Sequence, residues 1–153
     1  MADVHNIEQR SRNMAAIQSA NTGPEIYIRK LLTLEKFRYR LNRKELPGKP
    51  DLVLSKYKTV VFVHGCFWHM HMCHMGIMPK SNTEFWSSKL KLNLLRDQRN
   101  TQLLIALGWK VLVVWECSTK GKYKIPEDEL RKKLSYLIKD NDSIYKEIIG
   151  LPR

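Results

Sequence analysis

The stretch TVVFVHGCFWHMHMCHMG, residues Thr59–Gly76, changes character partway along. Thr59–Val63 is apolar or β-branched throughout. It lacks the alternation of a half-buried strand, so it reads as a strand covered on both faces at the centre of a sheet. From His64 onward the stretch gathers four of the chain's five histidines and two of its three cysteines. Two large rings, Phe67 and Trp68, stand among them. A core strand that runs straight into metal-capable side chains places a site at the strand's end.

Upstream, Asp51–Leu54 reads as a further strand across the polar turn Ser55–Lys58. Leu46-Pro-Gly-Lys-Pro50 forces a turn, and Phe37–Leu41 alternates as a strand. Thr22-Gly-Pro-Glu25 is a capping box that opens a helix through about Glu35. Downstream, Ser81-Asn-Thr-Glu84 repeats the capping pattern and opens a long helix that Gly108 closes. Trp109–Trp115 is another buried strand, and Pro126 starts an amphipathic helix to about Lys139. Ile7–Ser19 is polar and only weakly helical. The order is arm, α, β, β, β, α, β, α. It gives an arm over residues 1–20 and a single α/β domain over 21–153, a mixed central sheet flanked by helices.

Lys and Arg total 27 against 15 Asp and Glu, a net charge of +12. That excess suits a polyanion, and nucleic acid above all, because each neutralised phosphate releases a condensed counterion. The start, MADVHNIEQRSRN, has no apolar core of the kind a secretory signal needs, and no apolar run approaches the ~20 residues of a membrane span. A reducing cytoplasm and no membrane partner are the expectation. In that setting, clustered Cys and His bind metal more often than they form disulfides.

Cys66, Cys73 and Cys117 with one histidine make the closed donor set of structural zinc, provided that the strands ending at His64 and Trp115 lie side by side. Spacing leaves His69, His71 and His74 all open as the fourth ligand. Asp51 starts a strand after the Gly-Lys-Pro turn and offers a carboxylate to a hard cation. Mg²⁺ keeps several waters, so one carboxylate and a backbone carbonyl near Val63 suffice, with Glu25 as an outer acceptor. His64 and His69 suit proton transfer near neutral pH. Phe67, Trp68 and Trp86 offer rings to stacked bases, and Lys89, Lys91, Arg96 and Arg99 follow on the same helix as Trp86.

Together these motifs resemble the very short patch repair (Vsr) endonucleases, which nick DNA at T:G mismatches. The likeness runs from Arg10-Ser-Arg-Asn-Met14 through Pro50-Asp51, Phe62-Val-His-Gly-Cys-Phe-Trp-His69, Thr83-Glu-Phe-Trp86 and Arg96-Asp97 to Gly108-Trp109 and Val114-Trp-Glu-Cys117. It implies a PD-(D/E)XK restriction-endonuclease-like core. It makes Asp51 the Mg²⁺ ligand beside the Val63 carbonyl, His69 the general base, and Glu25 and His64 partners through water. It assigns structural zinc to Cys66, His71, Cys73 and Cys117. Phe67, Trp68 and Trp86 would intercalate beside the mismatch from the major groove, and Met14, with Ile17, from the minor groove. Lys89 and Asp97 match positions that touch the mispaired bases. The lysine of the wider PD-(D/E)XK pattern is missing, with His64 near its place. Met70 and Met72 interrupt what can be a longer histidine run.

The reading is a Mg²⁺-dependent enzyme that hydrolyses the phosphodiester 5′ of a mispaired thymine. It implies a monomer acting on double-stranded DNA in a bacterial cytoplasm, at the nucleoid, alongside mismatch-repair proteins. Its rivals are a sequence-specific nuclease of restriction or homing type and a catalytically silent zinc-stapled DNA-binding module.

Overall fold

The computed structural model describes residues 21–151, so Met14 and Ile17 of the expected arm lie outside the described residues. The elements follow in the order α1 (Gly23–Leu34), β1 (Arg40–Leu41), β2 (Leu52–Leu54), β3 (Thr59–His64), α2 (Thr83–Ala106), β4 (Lys110–Trp115), α3 (Glu127–Lys139) and β5 (Tyr145–Ile148). They build one five-stranded mixed sheet in the order β1-β2-β3-β4-β5. β1, β2 and β3 pair antiparallel, while β4 and β5 add to β3 in parallel.

The central place of β3 explains its composition. Val61 and Val63 join the core under α1 and α3, and Val60 and Phe62 join the core under α2. Side chains alternate at period 2, so a strand between two helical layers has no face left for polar residues. β4 repeats the pattern, with Leu112 and Val114 on one side and Val111, Val113 and Trp115 on the other.

α1 is capped as its sequence requires. Thr22 Oγ1 accepts from the Glu25 N–H at 3.4 Å, and the Glu25 carboxylate accepts from the Asn21 N–H at 3.0 Å. α2 departs from the expectation: its N-cap is Asn82, not Ser81, in a left-handed conformation with no side-chain cap bond. A helix of 24 residues that buries Leu90 and Leu104 draws its stability from packing and tolerates a bare end. Of the strand expected over 37–41, only Arg40 and Leu41 pair. Phe37 instead drops into the core, edge-on to Tyr57.

β5 has no counterpart among the elements expected from sequence. Its residues YKEI bury only Ile148, so an edge strand here carries almost no apolar signal. Lys110 positions it. The ammonium donates to the carbonyls of Ile138 (2.7 Å) and Asp140 (2.8 Å), where a cation complements the carboxyl end of α3. The chain then turns back, and the Val111 N–H meets the Ile144 carbonyl at 2.9 Å. No described helix is long and apolar enough to cross a membrane.

Candidate active site and metal centre

β3 and β4 run in register from Thr59 opposite Lys110 to His64 opposite Trp115, so both end at the same level. Cys66 and Cys117, each two residues beyond its strand, therefore meet. The sulfurs of Cys66, Cys73 and Cys117 and a ring nitrogen of His71 all lie within 4.8 Å of one another. The structure thus picks His71 from the three histidines that spacing left open. His74 packs edge-on to Tyr123, and His69 belongs to a second cluster.

The donors fit zinc. His71 Nδ1 stands 3.6 Å from Cys117 Sγ. Tetrahedral bonds of about 2.1 Å to nitrogen and 2.3 Å to sulfur leave an N–S edge of roughly 3.6 Å. Burial pushes the Cys66 and Cys117 thiols up; a backbone N–H bond to each opposes the shift, and the Cys73 sulfur adds to it. Thiols so gathered stay protonated until a cation neutralises them. Backbone amides already face the sulfurs: the Gly150 N–H donates to Cys117 at 3.3 Å and the Met75 N–H to Cys73 at 3.4 Å. His71 stacks on Trp115 at 4.3 Å. The loop closes only because residue 76 is glycine, since a Cβ there would lie 1.9 Å from the His71 carbonyl oxygen.

A cavity of about 260 Å³ opens nearby, lined by Lys49, Asp51, His64, His69, Asp97 and Asn100 among others. At its mouth Asp51 Oδ2 accepts from the Val63 N–H at 2.7 Å. The register that sets Leu52 opposite Val61 would pair Pro50 with Val63 next. Proline has no N–H to give. The Val63 carbonyl leaves the strand by the same edge as its N–H, so it is left without its ladder donor beside Asp51. Burial pushes the Asp51 carboxyl up to about 7, the Val63 N–H opposes that, and the negative charge of Glu25 adds to it. Glu25 is itself only 3% exposed and is held by Arg29 at 3.2 Å. It serves as capping residue and as electrostatic neighbour of Asp51 at once.

A stressed carboxylate next to an unpaired carbonyl fits a hard cation. Among the described residues no three-donor His/Cys/Asp/Glu cluster includes Asp51. That suits an ion that retains water, such as Mg²⁺, better than one that needs a full protein cage.

His64 and His69 stack face to face at 3.7 Å, and His69 Nδ1 meets Asp97 Oδ2 at 2.5 Å. With a carboxylate as its partner, Nδ1 is the natural donor of this bond, and Nε2 is the ring nitrogen left for a second partner. Burial and the nearby His69 lower the His64 pKa to about 3, against the pull of Asp97. His64 is therefore neutral at physiological pH.

Phe67, Trp68 and Trp86 form an edge-to-face triangle with centroids 5.1, 5.4 and 5.9 Å apart. All three are half-buried, and their ring contacts are with one another and with Phe85. Phe85 is 57% exposed, and Lys89 Nζ lies over the Trp68 and Phe85 rings. Asp97, which the resemblance matches to a position at the mispaired bases, here bonds His69. Phe85 lies within the motif quoted around Trp86, while Lys49, next to Pro50-Asp51, is not among the residues singled out from the sequence.

Comparison with known proteins gives the family. The family model described as DNA mismatch endonuclease Vsr matches residues 2–75. The chain is 52% identical over 122 residues to the type II nicking enzyme V.NmeAIP of Neisseria meningitidis, covering 80% of this chain and 87% of that protein. It is 48% identical over 117 residues to the type II nicking enzyme V.XorIIP of Xanthomonas oryzae, covering 76% and 86%. It is 43% identical over 134 residues to the DNA mismatch endonuclease Vsr of Escherichia coli, covering 88% and 86%. By sequence, the chain belongs to the Vsr family of DNA mismatch endonucleases.

Proposed function

We propose that this endonuclease nicks one strand of double-stranded DNA 5′ of the mispaired thymine at a T:G mismatch, with Mg²⁺ as its catalytic ion. The observation that carries the reading is one cavity holding Asp51 and the His69–Asp97 pair, with Trp68 of the half-buried aromatic cluster next to His69 in the chain. In this reading the core is of the PD-(D/E)XK type, with Asp51 as its acidic ligand and His64 near the place of its lysine.

Asp51 and the Val63 carbonyl would hold Mg²⁺, which when bound supplies charge neutralisation at the scissile phosphate and the leaving oxygen. Asp97 fixes the His69 tautomer, so that Nε2 accepts the proton of the attacking water. His64 buttresses that ring from 3.7 Å and, being neutral, adds no charge to repel the imidazolium that forms. Glu25 orients water beside Asp51. Zinc at Cys66, His71, Cys73 and Cys117 is structural and holds the loop that presents Phe67, Trp68 and His69. Phe67, Trp68 and Trp86 wedge beside the mismatch, Met14 and Ile17 of the arm enter from the opposite groove, and Lys89 reaches the bases. The enzyme works as a monomer in the bacterial cytoplasm.

Nicking of end-labelled T:G, other-mismatch and fully paired duplexes, with Mg²⁺ and with chelator, tests the reading. Cleavage confined to the thymine strand of T:G duplexes in Mg²⁺ is expected. Equal cutting of paired DNA would hand the cavity to a restriction-type nuclease, and tight mismatch binding without any nick would mark a silent binding module.

The Asp51 carboxyl, pushed up to about 7, predicts a pH dependence. Below that value a proton occupies the oxygens that Mg²⁺ needs, so Mg²⁺ affinity is expected to rise about tenfold per pH unit up to ~7 and then level off. Calorimetric titration between pH 5.5 and 8.5 checks this. A flat profile would place the ion elsewhere.

A further inference from the structure

A second groove, of about 550 Å³, adjoins the reaction cavity and shares Gly48, Lys49 and Asn100 with it. One wall is the turn from Lys44 to Lys49, and the other is α2 from Arg96 to Leu103. Its charged groups are Lys44, Lys49, Arg96, Arg99 and a single carboxylate, Glu45. Arg43 already engages that carboxylate. Among the described residues, none of the four cations makes an ion pair, and all four are exposed. Arg96 and Arg99 lie one helical turn apart and so face the same way.

The walls are fixed to each other. Gly48 adopts φ +76°, and a Cβ there would lie 3.0 Å from the Asn100 Cβ, so the turn seats directly on α2. Lys49, in the left-handed conformation at φ +49°, stands where groove and cavity join. An exposed basic groove that borders a phosphodiester-cleaving cavity has one occupant that fits its charge: the sugar–phosphate backbone of the DNA being cut.

We infer that Lys44, Arg96 and Arg99 form a phosphate rail that carries the substrate backbone into the reaction cavity, with Lys49 at the junction. The rail touches phosphates and no base edges, so it contributes affinity and register and leaves mismatch choice to the aromatic cluster. The inference rests on the reading of the cavity as a DNA-cleaving site.

The test uses the triple variant Lys44→Gln/Arg96→Gln/Arg99→Gln in the full chain. Binding to short T:G and fully paired duplexes is measured in chelator across a salt series. Every phosphate that the protein no longer neutralises lowers the slope of log K against log salt by about 0.9. A fall of roughly 2 to 3 is expected on that basis, with both duplexes weakened by the same factor. The control Lys132→Gln/Lys133→Gln, on α3, keeps the wild-type slope. A triple variant with an unchanged slope, or one matched by the control, overturns the rail, and so does a selective weakening on the T:G duplex. If the wild-type chain nicks none of the duplexes, the reading of the cavity fails instead, and the slopes then judge the rail alone.

Discussion

Asp51→Asn is expected to reduce nicking by at least about 10³-fold and, at the same time, to raise the melting temperature of the metal-free protein above pH 7. Both effects follow from one feature. The carboxyl sits where burial and the charge of Glu25 resist ionisation, and its pKa in the folded chain is about 7. An unfolded Asp ionises near 4, so the unfavourable ionisation weakens folding progressively from about pH 4 to 7 and in full above 7. The shift corresponds to roughly 4 kcal/mol before the structure relaxes. Asparagine removes that cost and still accepts from the Val63 N–H. It cannot supply a charged oxygen to Mg²⁺, so Mg²⁺ should no longer stabilise the variant. A stability gain paired with lost activity is the signature of a strained functional residue. Retained nicking, or a variant that melts lower at pH 8, would sink the assignment.

The second large effect is expected at Cys117. Cys117→Ser should lose zinc and unfold at least ~10 °C lower, because removing a structural metal belongs to the short list of changes that cost about 4 kcal/mol or more. The consequence spreads beyond the site. Cys117 joins the end of β4 to the loop that carries Phe67, Trp68 and His69, and it also receives the Gly150 N–H beyond β5. Nicking should therefore fall with the metal, and excess Mg²⁺ should not restore it. Zinc release to a chromophoric chelator and a calorimetric scan measure the two effects separately. Unchanged metal content together with an unchanged melting curve would mean that the four donors hold no structural ion.

Much of the site can be read along the chain because its parts lie next to strong local signals. The run Thr59–Val63 is apolar on both faces, which requires a covered, central strand. The cysteines and histidines follow it directly, and the structure gathers most of them into two clusters beyond the end of that strand. Pro50 before Asp51 is also local, and its missing N–H is what frees the Val63 carbonyl. Other features left no local trace. An uncapped α2 rests on packing, with Leu90 and Leu104 buried and Leu104 in the core beneath it. β5 fully buries only Ile148, and Lys110 holds the turn that leads to it from across the fold.

The residue types named the chemistry: thiols and imidazole for a soft ion, a carboxylate for a hard one, rings and cations for nucleic acid. They did not say which histidine goes where. His69 and His71 are two residues apart, yet one faces Asp97 and the other Cys117. The parallel register of β3 and β4 brings Cys117 level with His71, and α2, packed across the sheet, brings Asp97 to His69. A side chain's type is a property of the chain, while its partner is a matter of distance, and distances between remote segments exist only once the sheet has formed.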